Sequence, residues 1–421
     1  MPEKIPLMIW SDAVSAPSGL ARITRDIASR VHEHMADVFD VSTIGYGGSS
    51  SSKFPWHQYA WAYSDDWIIH DLPEVWYDFA GSRKGIFMTV QDPGRCLWMA
   101  RPETCSDDPA VQKFLKRAPF KRWGYFPIDS TGPRNKLSTV LQACLHGYDR
   151  ILAYTKWAER IVLNSLGISA CEDRQLWNLP HGIDTKVFYP RGRKFRQIFG
   201  QLAQLPRPIS YAEDDFVVGI VATNQPRKDF GLGLAVCAEL EKKYKQKLKI
   251  WIHTDKIDRW WSIPYLLSDF GLLGENVISG GLLDDDSMAK LYSCCDVTLG
   301  IGAGEGYGYP CFESLACGVP CVHGNYGGAP EYMPPQLLVE PKAYRMEGCY
   351  ASVRPVFDVG EWVWAVEKAV SLSPDKIFLH GDLRWEQLWP RWESWFKKGV
   401  HEFHGDDRRD PVLGTVAGVR A

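Results

Sequence analysis

Gly300-Ile301-Gly302-Ala303-Gly304-Glu305-Gly306-Tyr307-Gly308-Tyr309-Pro310-Cys311-Phe312-Glu313-Ser314-Leu315-Ala316-Cys317-Gly318-Val319-Pro320 decides how the rest of this chain is read. It follows an apolar run, Cys295-Asp296-Val297-Thr298-Leu299, that predicts a short buried strand. Pro310 suits a first helical turn and Gly318 the residue just past the last one. Between strand and helix lie glycines at 302, 304, 306 and 308 and a carboxylate, Glu305. Glycines let a backbone approach a ligand closely, and the amides of a helix start favour an anion such as phosphate. Carboxylates do not bind phosphate, but Glu305 at the mouth of the crevice and Glu313 a turn into the helix can accept hydrogen bonds from sugar hydroxyls. A phosphate cradle beside two hydroxyl acceptors describes a nucleotide-sugar site. The plainer alternative, a βα turn with glycines for packing, needs neither so many glycines nor two acids.

Working outward, Phe216 to Ala222 predicts the strand that begins a second βα series, with a helix over 230–244 and strands at 248–253 and 277–280. Arg227 and Lys228 follow the first of these strands, at the edge where ligands collect in open α/β sheets. A solvated basic pair is the bland reading. The first half of the chain repeats the pattern. Strands are expected at 5–10, 67–71, 85–90, 125–130 and 150–155, and helices at 20–31, 137–145 and 156–166. Gly19 opens the first helix and offers a second anion-binding end, or a plain capped start. Gln91 and Asp92 follow the third strand, and Asp129 lies at the end of the fourth, which makes all three candidate site residues. His70 reads as a structural histidine. From Cys96 to Trp123 no clean period appears. Arg95, Arg101, Arg117 and Arg122 mix there with Trp98, Phe114, Phe120 and Trp123, as in a nucleic-acid face or a solvated loop face. Residues 191–215 read as an irregular linker, and 385–396 as an aromatic-rich helix interrupted at Pro390.

The glycine-rich stretch carries a resemblance. Glu-x7-Glu enclosing Gly-Tyr-Gly, followed by Ala316-Cys317-Gly318-Val319-Pro320, is similar to the signature of retaining GT-B glycosyltransferases of the glycogen-synthase-like kind, family 4. His181-Gly182-Ile183-Asp184-Thr185-Lys186-Val187-Phe188-Tyr189-Pro190 resembles the segment that closes the family's N-terminal domain, and His181 is a turn residue or a cleft ligand. The opening Ser18-Gly19-x-x-Arg22-x-Thr24-Arg25 resembles that of some phage-encoded relatives. The resemblance implies an α/β fold of two Rossmann-like domains facing across a cleft: 1–205, joined by a C-terminal crossover helix over 385–421, and 206–384.

It further implies that Arg227 and Lys228 neutralise the donor diphosphate, aided by Gly19 and the amides of Gly306, Tyr307 and Gly308. Glu313 would take the ribose, Glu305 the transferred sugar, and Gly281 and Leu282 the nucleobase. A nucleotide-diphosphate sugar, with a UDP-sugar favoured, is the implied co-substrate, and no cofactor or metal is needed. Where many relatives have a histidine, this chain has Gln91, so that role passes to Gln91 or Asp92, or the acceptor arrangement differs. Asp129, His181, Arg95 and Arg122 are the acceptor-side candidates. The acceptor stays open between a glycan, lipid-linked sugar or small molecule and a hydroxymethylated base in DNA. An epimerase or hydrolase on the same fold is the alternative activity, and a silent binding module a third reading.

Composition bounds these readings. The chain has 421 residues, 45% hydrophobic and 24% charged, the proportions of a globular protein long enough for two domains. Its net charge of -3 excludes a uniformly basic protein, but residues 1–205 come to about +4 and the remainder to about -7. The 11 cysteines include no Cys-x-x-Cys pair, so neither a zinc site nor a disulfide framework is indicated. Reduced thiols, with no leader and no membrane-length apolar run, lead to the expectation of a cytoplasmic protein. Nothing in the sequence sets the oligomeric state.

Overall fold

Apolar runs bounded by turn residues, alternating with amphipathic helices, dictate parallel sheets covered on both faces. The structure, a computed structural model, describes residues 3–61, 67–104, 107–272, 274, 276–281, 283–348, 350–379 and 382–405. The first sheet contains β1 (Ile5–Asp12), β2 (Phe39–Tyr46), β3 (His57–Trp61), β4 (Gly85–Val90), β5 (Phe120–Phe126), β6 (Arg150–Ala153) and β7 (Trp177–Asn178). Their order is β3-β2-β1-β4-β5-β6-β7, with every neighbouring pair parallel. The second contains β8 (Phe216–Val221), β9 (Leu248–Thr254), β10 (Val277–Gly280), β11 (Val297–Gly300), β12 (Cys321–Gly324) and β13 (Leu338–Val339), in the order β10-β9-β8-β11-β12-β13. It too is parallel throughout. In both sheets the order reverses beside the first strand, between β1 and β4 and between β8 and β11. Such a switch point opens a crevice beyond the carboxyl strand ends. An antiparallel hairpin, β14 (Ala343–Glu347) and β15 (Ser352–Val356), lies outside both sheets.

The helix Trp385–Gly405 packs back on the first domain. Trp392 Nε1 donates to Pro180 O at 2.9 Å, and Trp385 Nε1 donates to an Asp26 carboxylate oxygen at 3.1 Å. The Arg150 guanidinium lies over both the Trp123 and Trp395 rings, which meet edge to face, and donates to Trp395 O. A side chain at Gly182 would collide with the Trp385 ring, so the turn after His181 needs glycine to let the helix dock.

Several local expectations fail, each for a physical reason. Residues 67–71 are not a strand but the start of the helix Trp67–Ala80, which buries Ile68, Leu72, Val75 and Trp76 at helical spacing. The strand expected over 125–130 runs from Phe120 to Phe126, so Phe120 and Trp123 are buried strand residues. Pro390 does not interrupt its helix; it sits on the exposed face of the second turn, where the bond it cannot make costs little. Residues 193–202 of the expected irregular linker form a short 3-10 turn and a helical turn. They are anchored by buried Arg196, which donates to Asp296 at 2.7 Å and to the carbonyls of Ala212, Glu213, Asp215 and Cys294.

Candidate active site

The switch point of the second sheet is stitched shut along its edge. Asp229 N donates to Ile301 O at 2.9 Å and Ala303 N to Arg227 O at 2.8 Å, with a bridge between Lys228 and Gly302. The loop after β8 and the glycine turn after β11 thus form one surface. On it Arg227 Nη1 donates to Gly304 O at 3.0 Å and lies 3.2 Å from Glu305 Oε2, and Lys228 pairs with Glu305 Oε1. Gly302 lies under the Glu305 carboxylate, where a Cβ has no room. Gly304 has φ +125° and abuts Asp129 O of the first domain. Both positions demand glycine.

Burial alone would push the Glu305 carboxyl up, but Lys228 and Arg227 together outweigh it and bring it down to about 2. Arg227 is held protonated above its usual range, because Glu305, Asp129 and Asp92 overcome its burial. Lys228 moves the other way, lowered by burial and by Arg227 against the pull of Glu305. Behind the pair, buried Asn224 pins the loop after β9 with side-chain bonds to Lys256 O and Trp261 O.

The first sheet brings Asp12, Gln91, Asp92 and Asp129 to its own carboxyl edge. Gln91 is fully buried and donates from Nε2 to Asp12 Oδ1 at 2.9 Å, while Ser18 donates to the other Asp12 oxygen and caps the helix Gly19–His34. Asp92 retains water contact, yet the walls around it and the neighbouring Asp129 raise its carboxyl to about 6, against Arg227 and Arg354. Asp129 Oδ2 lies 3.1 Å from Arg227 Nε, an ion pair that joins the two domains.

Glu313 lies elsewhere. It is buried on the helix Tyr309–Ala316, accepts from the Tyr292 hydroxyl at 2.9 Å and pairs with Arg22 of the first domain, which also grips Asp285. Burial raises its carboxyl, with Arg22 opposing. Gly19 opens the Arg22 helix, with the Tyr309 ring 3.8 Å from where its Cβ would stand. Gly308, at φ +104°, caps the signature helix, and Gly306 packs on Pro127. Tyr307 is buried, and its hydroxyl donates to His181 O. His181 is itself fully buried, with Nδ1 2.8 Å from the Tyr125 hydroxyl and its ring on Tyr307, and burial holds it well below the usual histidine range. Its ring packs between the domain-closing turn and Tyr307 and Tyr309 of the second domain.

Gly281 stands exposed at φ +80° after β10, and Leu282 lies outside the described residues. Arg95 is exposed, its guanidinium 5.1 Å from the Tyr46 ring centre. Arg122 is not with the others: it donates to Met99 O at 2.8 Å and to Leu115 O, tying the 97–116 segment to β5. Trp98, Phe120 and Trp123 are buried, so the basic-aromatic stretch presents no row of rings for bases. Arg22, Asp12 and Arg354 were not singled out from the sequence. Arg22 had a signal in the Ser-Gly-x-x-Arg opening. Arg354 had only the faint alternation on either side of Gly348. Among the described residues no three His, Cys, Asp or Glu side chains are grouped to hold a metal ion, and no helix is long and apolar enough to cross a membrane.

Comparison with known proteins accords with this geometry. Residues 204–342 match the family described as Glycosyl transferases group 1. The chain is 29% identical over 122 residues to the serotype-specific mannosyltransferase WbdA of Escherichia coli, a match covering 28% of this chain and only 14% of that protein. Sucrose-phosphate synthase from Thermosynechococcus elongatus superimposes with a TM-score of 0.65 at 15% identity, over 95% of this chain and 100% of that one. Anabaena Alr3699/HepE, solved in complex with UDP and glucose, gives 0.61 at 12% identity over 89% and 91%. The chain therefore has the GT-B fold of two Rossmann-like domains, and its residues 204–342 match the group 1 glycosyl transferases.

Proposed function

We propose that this protein is a retaining glycosyltransferase that moves a sugar from a nucleotide-diphosphate sugar to an acceptor hydroxyl. The observation that carries the reading is the edge-to-edge joining of the Arg227-Lys228 loop with the glycine turn, which sets two cations and Glu305 on one surface. Arg227 and Lys228 bind the donor diphosphate and stabilise the charge that grows on the leaving group, often the greatest single contribution to such catalysis. The amides of Gly306, Tyr307 and Gly308 add to this at the helix start. Glu305 accepts from hydroxyls of the transferred sugar and Glu313 from the ribose, each exchanging a present cationic partner for a ligand. Gly281 and its neighbours take the base. The acceptor hydroxyl attacks from the face the diphosphate leaves, and the departing phosphate oxygen takes its proton. Asp92 and Asp129 line the acceptor side, with Gln91 buried behind them on Asp12.

A UDP-sugar is the favoured donor, since the Anabaena neighbour was solved with UDP and glucose. For the acceptor, burial of the Trp98, Phe120 and Trp123 rings favours a glycan, lipid-linked sugar or small molecule over a modified base in DNA. Salt-steep duplex binding would reverse that preference. The test is to incubate the full chain with labelled UDP-, GDP- and ADP-sugars and an acceptor panel that includes hydroxymethylated DNA. An adduct with the donor's anomeric configuration is expected. Inverted product refutes retention, and free sugar with no adduct makes the protein a hydrolase.

A further inference from the structure

Between β13 and the helix Val359–Ala369 the chain leaves the second sheet, and the β14–β15 hairpin pairs with none of that sheet's strands. It crosses the cleft instead. Val353 N donates to Thr131 O at 2.7 Å, and the Tyr326 hydroxyl accepts from Thr131 N at 3.1 Å while donating to Val353 O. Arg354, 8% exposed, points inward from this bridge. Its Nη1 lies 3.2 Å from Asp129 O, 3.4 Å from Asp129 Oδ1 and 3.3 Å from Ala303 O. The other Asp129 oxygen faces Arg227 Nε at 3.1 Å. A carboxylate held at both oxygens by two guanidiniums has lost its rotation. Arg227 is fixed along two edges in turn, by Asp129 at Nε and by Gly304 O and Glu305 at Nη1, and its Nη2 has no partner among the described residues.

We propose that Arg354 is a positioning residue for the donor: through Asp129 it holds Arg227 with Nη2 turned to the diphosphate. This rests on the donor-site reading above. In the competing reading the hairpin only staples the domains together. Calorimetric titration of the full chain with UDP, GDP and ADP identifies the diphosphate it binds, and the matching monophosphate is the control. Arg354→Met should raise Kd for the diphosphate about tenfold, the scale of one charge-assisted hydrogen bond. The monophosphate should change by less than about twofold, and Arg354→Lys should recover part of the loss. In an Asp129→Asn background, Arg354→Met should add less than about twofold, because the relay is already cut. Unchanged diphosphate affinity in Arg354→Met, equal losses for both nucleotides, or a full additional loss in the Asp129→Asn background each overturns the inference. A wild-type chain that binds none of the three diphosphates overturns the donor-site reading itself.

Discussion

Glu305 and Glu313 belong to one motif, yet the fold gives them opposite surroundings. Glu305 faces Lys228 and Arg227, both from its own domain, and its carboxyl falls to about 2. Glu313 is walled in by its helix, shares Arg22 with Asp285, and its carboxyl is raised. Spacing in the sequence sets both acids on one side of a turn but says nothing about which domain supplies the counter-charge. Glu305 takes both of its counter-charges from the second domain, although Asp129 of the first domain also holds Arg227. The Glu313 pair exists only while the first domain touches the second. One acid therefore belongs to a standing charge network, the other to domain closure.

The sharpest way to break this comparison is to remove a cation from the standing network. Arg227→Ala should lower donor turnover by about 10²–10³, the range seen when one donor to a developing charge is lost. Near wild-type turnover would dissolve the first half of the comparison. Glu305→Gln probes the same network through acid stability. Because the folded Glu305 carboxyl lies near 2 and the unfolded one near the usual ~4.3, its stabilisation is full above ~4.3 and is lost as pH falls towards 2. Thermal melts of Glu305→Gln should therefore show a shallower acid decline than wild type across that window. Glu313→Gln should behave differently: with its ionised form already opposed by burial, the midpoint should shift by less than about 4 °C while nucleoside-diphosphate affinity falls about tenfold.

Asp92 sharpens the contrast from the acceptor side. Its carboxyl, raised to about 6 by the protein walls that crowd it and by Asp129, with Asp12 adding and Arg227 and Arg354 opposing, should give kcat/KM an ascending limb centred near pH 6. Asp92→Asn should flatten that limb. The smallest effect on activity is expected at Arg122, whose loss leaves two carbonyls without a donor. Arg122→Ala should cost about 1–3 kcal/mol in denaturant unfolding and leave turnover at saturating donor within about twofold.

What the sequence revealed follows the same division. Glycines and acids in a strand-turn-helix are local features, and Gly302, Gly304, Glu305 and Gly308 stand where their pattern puts them. Arg227 and Lys228 were legible because a strand end dictates where the next residues point. Contacts made across the cleft were not. Arg22 reaches Glu313, and Arg354 reaches Asp129, over sequence separations that carry no local pattern. The helix at 67–80 was misread because Trp67-Ile68-Ile69 suits a strand until Leu72, Val75 and Trp76 complete a helical face. Arg122, Phe120 and Trp123 suit a nucleic-acid face or a solvated loop face equally, because composition cannot distinguish either from a strand buried beneath a helical cover.

The most direct test is a crystal structure of the full chain with the UDP-sugar or other nucleotide sugar that it turns over. The account predicts diphosphate oxygens within hydrogen-bond distance of Arg227 Nη2 and Lys228, the glycine turn over them, and the ribose on Glu313 with Arg22 displaced. A nucleotide whose phosphates point into solvent, leaving Arg227 Nη2 without a phosphate oxygen and Lys228 still on Glu305, would contradict it.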